Sequence, residues 1–161
     1  MSERDTRRLA REYFQLAYEC QMRGDYHEAI AYYTRSIESF PTAEAYTFRG
    51  WTYSFLGDLD RAIDECKLAI NLDPSLGNPY NDIGAYLIEQ DKWDEAIPWF
   101  QKAIHAARYE ARCYPHLNLG RVYERKQEWK RAKECYARAY FLNPHYTEAR
   151  VALQRLQARF N

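Results

Sequence analysis

The chain has 161 residues, 47% of them apolar and 29% charged, with 23 Lys and Arg balanced by 23 Asp and Glu. That length fits one domain, and that apolar share is enough for a continuous core, which excludes a disordered chain. No apolar run approaches the length of a membrane span, and MSERDTRRLAREYF lacks the apolar centre of a secretion signal, so a cytoplasmic protein is expected.

Residues 1–9 are a polar lead-in that either frays or extends the first helix. Residues 10–42 read as two short helices around Gly24-Asp25, with Asp25 and Glu28 spaced for a cap on the second helix and Pro41-Thr42 marking its end. Residues 43–76 give the same hairpin in its clearest form. Ala45, Phe48, Thr52 and Phe55 recur at helical spacing, as do Ala62, Cys66, Ala69 and Ile70, with Gly57-Asp58 between the two runs. Gly57 suits the left-handed conformation that ends a helix, Asp58 suits the cap of the next, and Asp73-Pro74 stops it.

Residues 77–112 open with Pro79, placed to start a helix, but carry Asp91 at the turn and Arg108 where the previous unit has Pro74. No stop signal follows until Pro115, so HAARYEARCYPH is expected to extend a helix or a loop. Residues 113–146 repeat the hairpin. Residues 147–160 form a further helix, with Val151, Leu153, Leu156 and Phe160 to lie on the fourth unit and Arg150, Arg155 and Arg159 to face water as a cap.

The four units align residue by residue. Tyr46, Gly50, Tyr53, Ala62, Cys66, Ala69 and Pro74 are matched in the third unit by Tyr80, Gly84, Leu87, Ala96, Phe100, Ala103 and Arg108, and in the fourth by His116, Gly120, Tyr123, Ala132, Tyr136, Ala139 and Pro144. The first unit supplies Tyr13, Ala17, Cys20, Ala29, Tyr33, Ser36 and Pro41. A small residue in the first helix lets the second approach closely. Alanines fill that contact, and large side chains fill the space between units, each aromatic burying area worth roughly 2 to 3 kcal/mol. The pattern resembles the tetratricopeptide repeat family over about residues 10–146. Arg49 stands where that family usually carries Leu or Ile, and must reach solvent or a partner.

The resemblance implies an all-α, right-handed superhelical solenoid of antiparallel helix pairs, residues 1–161 forming a single domain. It also implies that the first helices line a concave face on which a peptide or a partner's helix lies. The repeat register places Phe14, Tyr18 and Gln21, then Thr47, Trp51 and Ser54, then Asn81, Ala85 and Ile88, and then Leu117, Arg121 and Glu124 on that face. Arg11, Phe48, Phe55, Asn78, Asp82, Asn118 and Arg125 lie along one edge. Phe14, Tyr18, Phe48 and Trp51 offer an apolar platform, unless the N-terminal segment covers them or they belong to the core. Asn78, Asn81 and Asn118 suit a peptide backbone. Arg121 and Arg125, one turn apart, suit a carboxylate or phosphate. The carboxylate clamp of chaperone-binding members is not matched, because Phe14, Tyr18, Phe48, Asn78 and Asp82 stand in its places.

Charge is divided along the chain: residues 1–107 carry 11 Lys and Arg against 18 Asp and Glu, whereas residues 108–161 carry 12 against 5. An acidic partner segment toward the C-terminal repeats, or the acidic end of a second copy, would be attracted. Nucleic acid is a poor fit, since aromatics and arginines are not interleaved in one groove. Phosphate loops, zinc-spaced His pairs and nucleophile elbows are all missing from the sequence, and Asp64 and Glu65 read as solvated carboxylates. Cys20 and Cys66 fall at packing positions, and Cys113, His116 and His105 make a poor zinc set. The expected function is therefore a non-enzymatic adaptor or scaffold without cofactor or metal, a monomer or weakly self-associating. The alternatives are an end-to-end self-assembling scaffold and a chaperone for a partly unfolded secreted client.

Overall fold

Four reversals of the chain, at Gly24, Gly57, Asp91 and Gln127, take the same left-handed conformation, with φ of +84°, +81°, +61° and +60°. At each, the amide of the next residue reaches back five residues, as in Asp58 to the Tyr53 carbonyl at 3.1 Å and Glu128 to the Tyr123 carbonyl at 2.8 Å. This is the bond that closes a helix on a left-handed residue. The sequence marks three of these turns. The fourth is built on Gln127, whose long side chain carries no turn signal.

The computed structural model describes residues 1–160. Among them are nine helices: α1 (Glu3–Met22), α2 (Tyr26–Ser39), α3 (Ala43–Phe55), α4 (Leu59–Leu72), α5 (Asn78–Glu89), α6 (Trp93–His105), α7 (Cys113–Arg125), α8 (Trp129–Leu142) and α9 (Thr147–Arg159). The polar lead-in extends α1, its start capped by Ser2 and Asp5 in a reciprocal box. Thr42 and Asp58 cap α3 and α4 through their side chains. The cap expected from Asp25 and Glu28 does not form: the Asp25 carboxylate bonds no amide of α2 and accepts from Arg23 Nε at 3.2 Å instead.

Consecutive helices pack as antiparallel neighbours, and α1, α3, α5 and α7 also touch their next-but-one neighbours, which makes them the inner layer of the stack. Ala29, Ala62, Ala96 and Ala132 are fully buried, as are the large Tyr33, Phe100 and Tyr136. A methyl group on Gly120 would lie 2.5 Å from the Tyr136 ring, so only hydrogen fits there. Arg49 finds its partner inside. It makes a two-pronged ion pair with Glu65, at 2.7 and 2.9 Å, and donates to Thr34 Oγ1 at 3.1 Å. Glu65 is thus buried rather than solvated, because α2, α3 and α4 converge over it.

The segment after α6 is a loop, not a longer helix. The Arg108 amide donates to the Ser75 carbonyl and the Gly77 amide to the Arg108 carbonyl, a short bridge between two successive connections. The Arg108 guanidinium also spans Glu44 and Asp73, at 2.8 and 2.6 Å. Hydrogen bonds from Ser75 first, and then from Arg108, hold the Asp73 carboxyl down at about 2. Arg112 donates to the Ile104 carbonyl at 3.0 Å and to those of Ala106 and Tyr109, closing the end of α6 in place of a proline.

On α9, Ala149 and Leu156 are buried and Leu153 packs beside them. Val151, assigned by sequence to the apolar side, is 49% exposed, because the helix presents the side carrying Ala149, Ala152 and Leu156. Arg155 does not simply face water either: its guanidinium pairs with Glu124 of α7.

Candidate partner-binding groove

The inner layer brings the aromatic residues of α1 and α3 into one run of ring contacts. Phe14 meets Phe48 at 5.2 Å, Tyr18 meets Phe48 at 6.0 Å, Phe48 meets Trp51 at 5.8 Å, and Trp51 meets Phe55 at 5.2 Å. Tyr26 of α2, which the repeat register did not select, stacks parallel on Phe55 at 5.1 Å. Edge-to-face and offset geometries of this kind fix the rings. Phe14 and Phe48 are partly core, packed beside the buried Tyr33, whereas Tyr18 and Phe55 stay exposed at 37% and 48%. The N-terminal segment does not fold over them, since it continues α1. Beside the rings, a pocket of about 360 Å³ opens between Phe14, Phe40, Arg7 and Arg11.

Farther along, the chemistry becomes polar. Asn118 Nδ2 donates to Asn81 Oδ1 at 3.2 Å, and Arg121 reaches Asn118 Oδ1 at 3.4 Å. Asn81 and Asn118 are only 9% exposed, so their first commitment is to each other rather than to an open backbone site. Asn78 is exposed and lines a pocket of about 390 Å³ with Phe48, Arg108 and Tyr109. Gln21, Thr47, Ile88 and Leu117, placed on the concave face by register, are buried in the layer itself. Gln21 accepts from the Tyr33 hydroxyl at 2.7 Å, and Thr47 donates to the Ala43 carbonyl.

Arg121 and Arg125 line one cavity of about 770 Å³ together with Trp93, Tyr136 and Arg155. Arg125 is drawn to Asp91 at 3.3 Å and lies over the Trp93 ring at 4.9 Å, leaving Arg121 as the arginine of this cavity with no carboxylate partner among the described residues. Glu124 is neutralised in place. Hydrogen bonds from Arg155 first, and then from Tyr136, pull its acid below the usual range. Nothing in sequence spacing links Glu124 to Arg155, which lie 31 residues apart and meet only because the packing of α9 on α8 brings its arginine within reach of α7.

No three His, Cys, Asp or Glu side chains are grouped to hold a metal ion among the described residues. His116 is half-buried, and that burial lowers its pKa. No described helix is long and apolar enough to cross a membrane.

Four stretches match family models of the tetratricopeptide repeat: residues 10–43, 43–76, 80–108 and 113–146. The chain belongs to the tetratricopeptide repeat family. It is similar to small glutamine-rich tetratricopeptide repeat-containing protein 2 of Mycosarcoma maydis, with 35% identity over half of this chain and 23% of that protein. It is also similar to the photosystem I assembly protein Ycf3 of Prochlorococcus marinus, with 28% identity over 64% of this chain and 66% of that protein. Among solved structures, PilF of Pseudomonas aeruginosa superposes with a TM-score of 0.89 at 22% identity, over 96% of this chain and 70% of that one. That likeness establishes the fold, an all-α solenoid of stacked hairpins. Tetratricopeptide repeats are protein-interaction modules, and the matched part covers less than a quarter of the Mycosarcoma relative.

Proposed function

We propose that this chain is a non-enzymatic adaptor that binds an extended segment of a partner protein along the inner face of α1, α3, α5 and α7. The run of rings from Tyr18 through Phe48 and Trp51 to Phe55 carries the reading, because part of it stays in water when the hairpins are fully packed. Apolar side chains of the partner lie on these rings and in the pocket beside Phe14. Asn78, Asn81 and Asn118 line the path toward Arg121 and Arg125, which receive an acidic group at the other end. The setting is cytoplasmic, since four unpaired cysteines suit a reducing compartment.

The test is recovery of partners from a native lysate by the parent, by Trp51→Ala and by Phe14→Ala, followed by affinity measurement on the recovered partner. Trp51→Ala is expected to weaken binding by about 2 kcal/mol, roughly thirtyfold, with helix content unchanged. Equal affinity of variant and parent places the site elsewhere.

The charge division supports a second reading, a scaffold in which the basic C-terminal portion of one copy meets the acidic portion of the next. Such contacts are largely screened beyond about 8 Å at physiological salt. Light scattering across a salt series decides between the two: particles that shrink as salt rises favour assembly, and a monomer throughout favours the adaptor.

A further inference from the structure

Between the rings and Arg121, the groove holds a carboxylate that no cation among the described residues neutralises. Asp82 on α5 occupies the register position of Phe48 one repeat earlier and Asn118 one repeat later. Phe48 packs against Tyr33, but the second unit carries the smaller, fully buried Cys66 at the matching place, within electrostatic reach of Asp82. Phe48 has ring partners and Asn118 has Asn81, whereas among the described residues no donor and no cation bonds the Asp82 carboxyl, which is partly exposed and whose acid is pushed up to about 7 by the packing around it.

A second unpartnered group lies one turn along the same helix. Tyr86 is 4% exposed, its hydroxyl is enclosed near Ser54 without a well-formed hydrogen bond, and it feels the charge of Asp82. Residues four apart share a helix face, so Tyr86 and Asp82 lie on the same side of α5. The cation nearest in register, Arg49, is committed to Glu65.

We propose that Asp82 seats a cationic side chain of the bound segment, a lysine or arginine lying between its apolar residues and its acidic end. This deepens the groove reading and rests on it. Asp82 is only partly exposed and holds no cation of its own, so an arriving ammonium or guanidinium can reach the carboxylate and gains an attraction that bulk water only partly screens. A neutral side chain leaves the carboxylate unpaired, and an acidic one is repelled. The groove thereby reads an ordered pattern of apolar, basic and acidic residues.

The probe is a library of random 12-residue peptides displayed on phage and selected at pH 8 on the full chain. An enriched peptide and its Lys→Gln (or Arg→Gln) version are then titrated onto the parent, Asp82→Asn and Trp51→Ala by fluorescence anisotropy, with circular dichroism to verify the helices. Enriched peptides are expected to carry a basic residue at fixed spacing from an apolar cluster. Removing that residue should cost about tenfold on the parent and less than twofold on Asp82→Asn. Trp51-dependent binding with no basic preference, or the same loss on Asp82→Asn as on the parent, overturns the Asp82 assignment alone. A basic preference that depends on Asp82 but survives Trp51→Ala at full affinity supports Asp82 and overturns the ring platform. A library with no enriched peptide overturns both.

Discussion

Arg49 and Glu65 face each other from α3 and α4, with side chains only 15% and 9% exposed. In the third and fourth units the matching positions hold Ile83 with Trp99 and Leu119 with Cys135, all packed in one apolar cluster. The ion pair therefore replaces a hydrophobic contact. Removing one partner leaves a buried charge without its counterion, which costs about 3 to 5 kcal/mol, while replacing both by apolar side chains of similar volume is neutral or favourable. Arg49→Met should cost about 3 kcal/mol, since Thr34 loses a donor as well as Glu65 its cation, and should lower Tm by roughly 6 to 12 °C for a domain of this size. Arg49→Met combined with Glu65→Met should recover all but about 1 kcal/mol, because two flexible thioethers refill the space. Guanidinium and thermal unfolding followed by circular dichroism measure both. A single variant that costs under about 1 kcal/mol, or a double variant that costs as much as the two singles added, would refute the reasoning.

At the fourth turn, Gln127→Gly should gain about 1 kcal/mol by relieving a left-handed side-chain residue. Asp91→Gly should gain little, since it also removes the bonds Asp91 accepts from Trp93 Nε1 at 2.7 Å and Arg125 at 3.3 Å; thermal melts of the two variants check the contrast. Deleting residues 147–161 should lower Tm and promote aggregation by uncovering the cluster around Tyr136 and Ala139, and a truncated chain as soluble and stable as the parent would remove the capping role from α9. Asp82 titrates near 7 when folded and near 3.8 when unfolded, so the folded state holds the proton longer and stability falls as pH rises through that window. Asp82→Asn should match the parent at pH 4 and exceed it at pH 8 by about 2 to 4 kcal/mol, at about 1.36 kcal/mol per pH unit between the two titrations. An advantage independent of pH would count against a desolvated carboxylate.

Much of the groove was legible because its register is local. Once Gly50, Gly84 and Gly120 mark the closest approach of each helix pair, every other residue of a first helix has a direction set by the helical period. That is how register alone puts Phe14, Tyr18 and Trp51 on one face, with Phe48 and Phe55 along its edge. It is also why Val151 was misassigned. The helix it belongs to has Gln154 where the others carry a small residue, so the register that orients the other first helices does not set its packing side.

Sequence by itself determined the repeat, the helix pairs, the small and aromatic packing positions, and three of the four left-handed turns. These depend on neighbours three or four residues away, and the same requirement recurs in every unit. Only the tertiary structure decided which charges are buried and which are paired. Arg49 meets Glu65 across 16 residues, Arg155 meets Glu124 across 31, and Arg108 meets Glu44 across 64. The same holds for the fate of the two extra residues before α7, which fold back on the Ser75–Gly77 connection instead of lengthening α6. It holds too for Asp82, whose chemistry follows from what α4 and α5 place around it and from the cation they do not supply. A side chain's period tells which way it leaves its own helix; the rotation between stacked hairpins decides what it meets there.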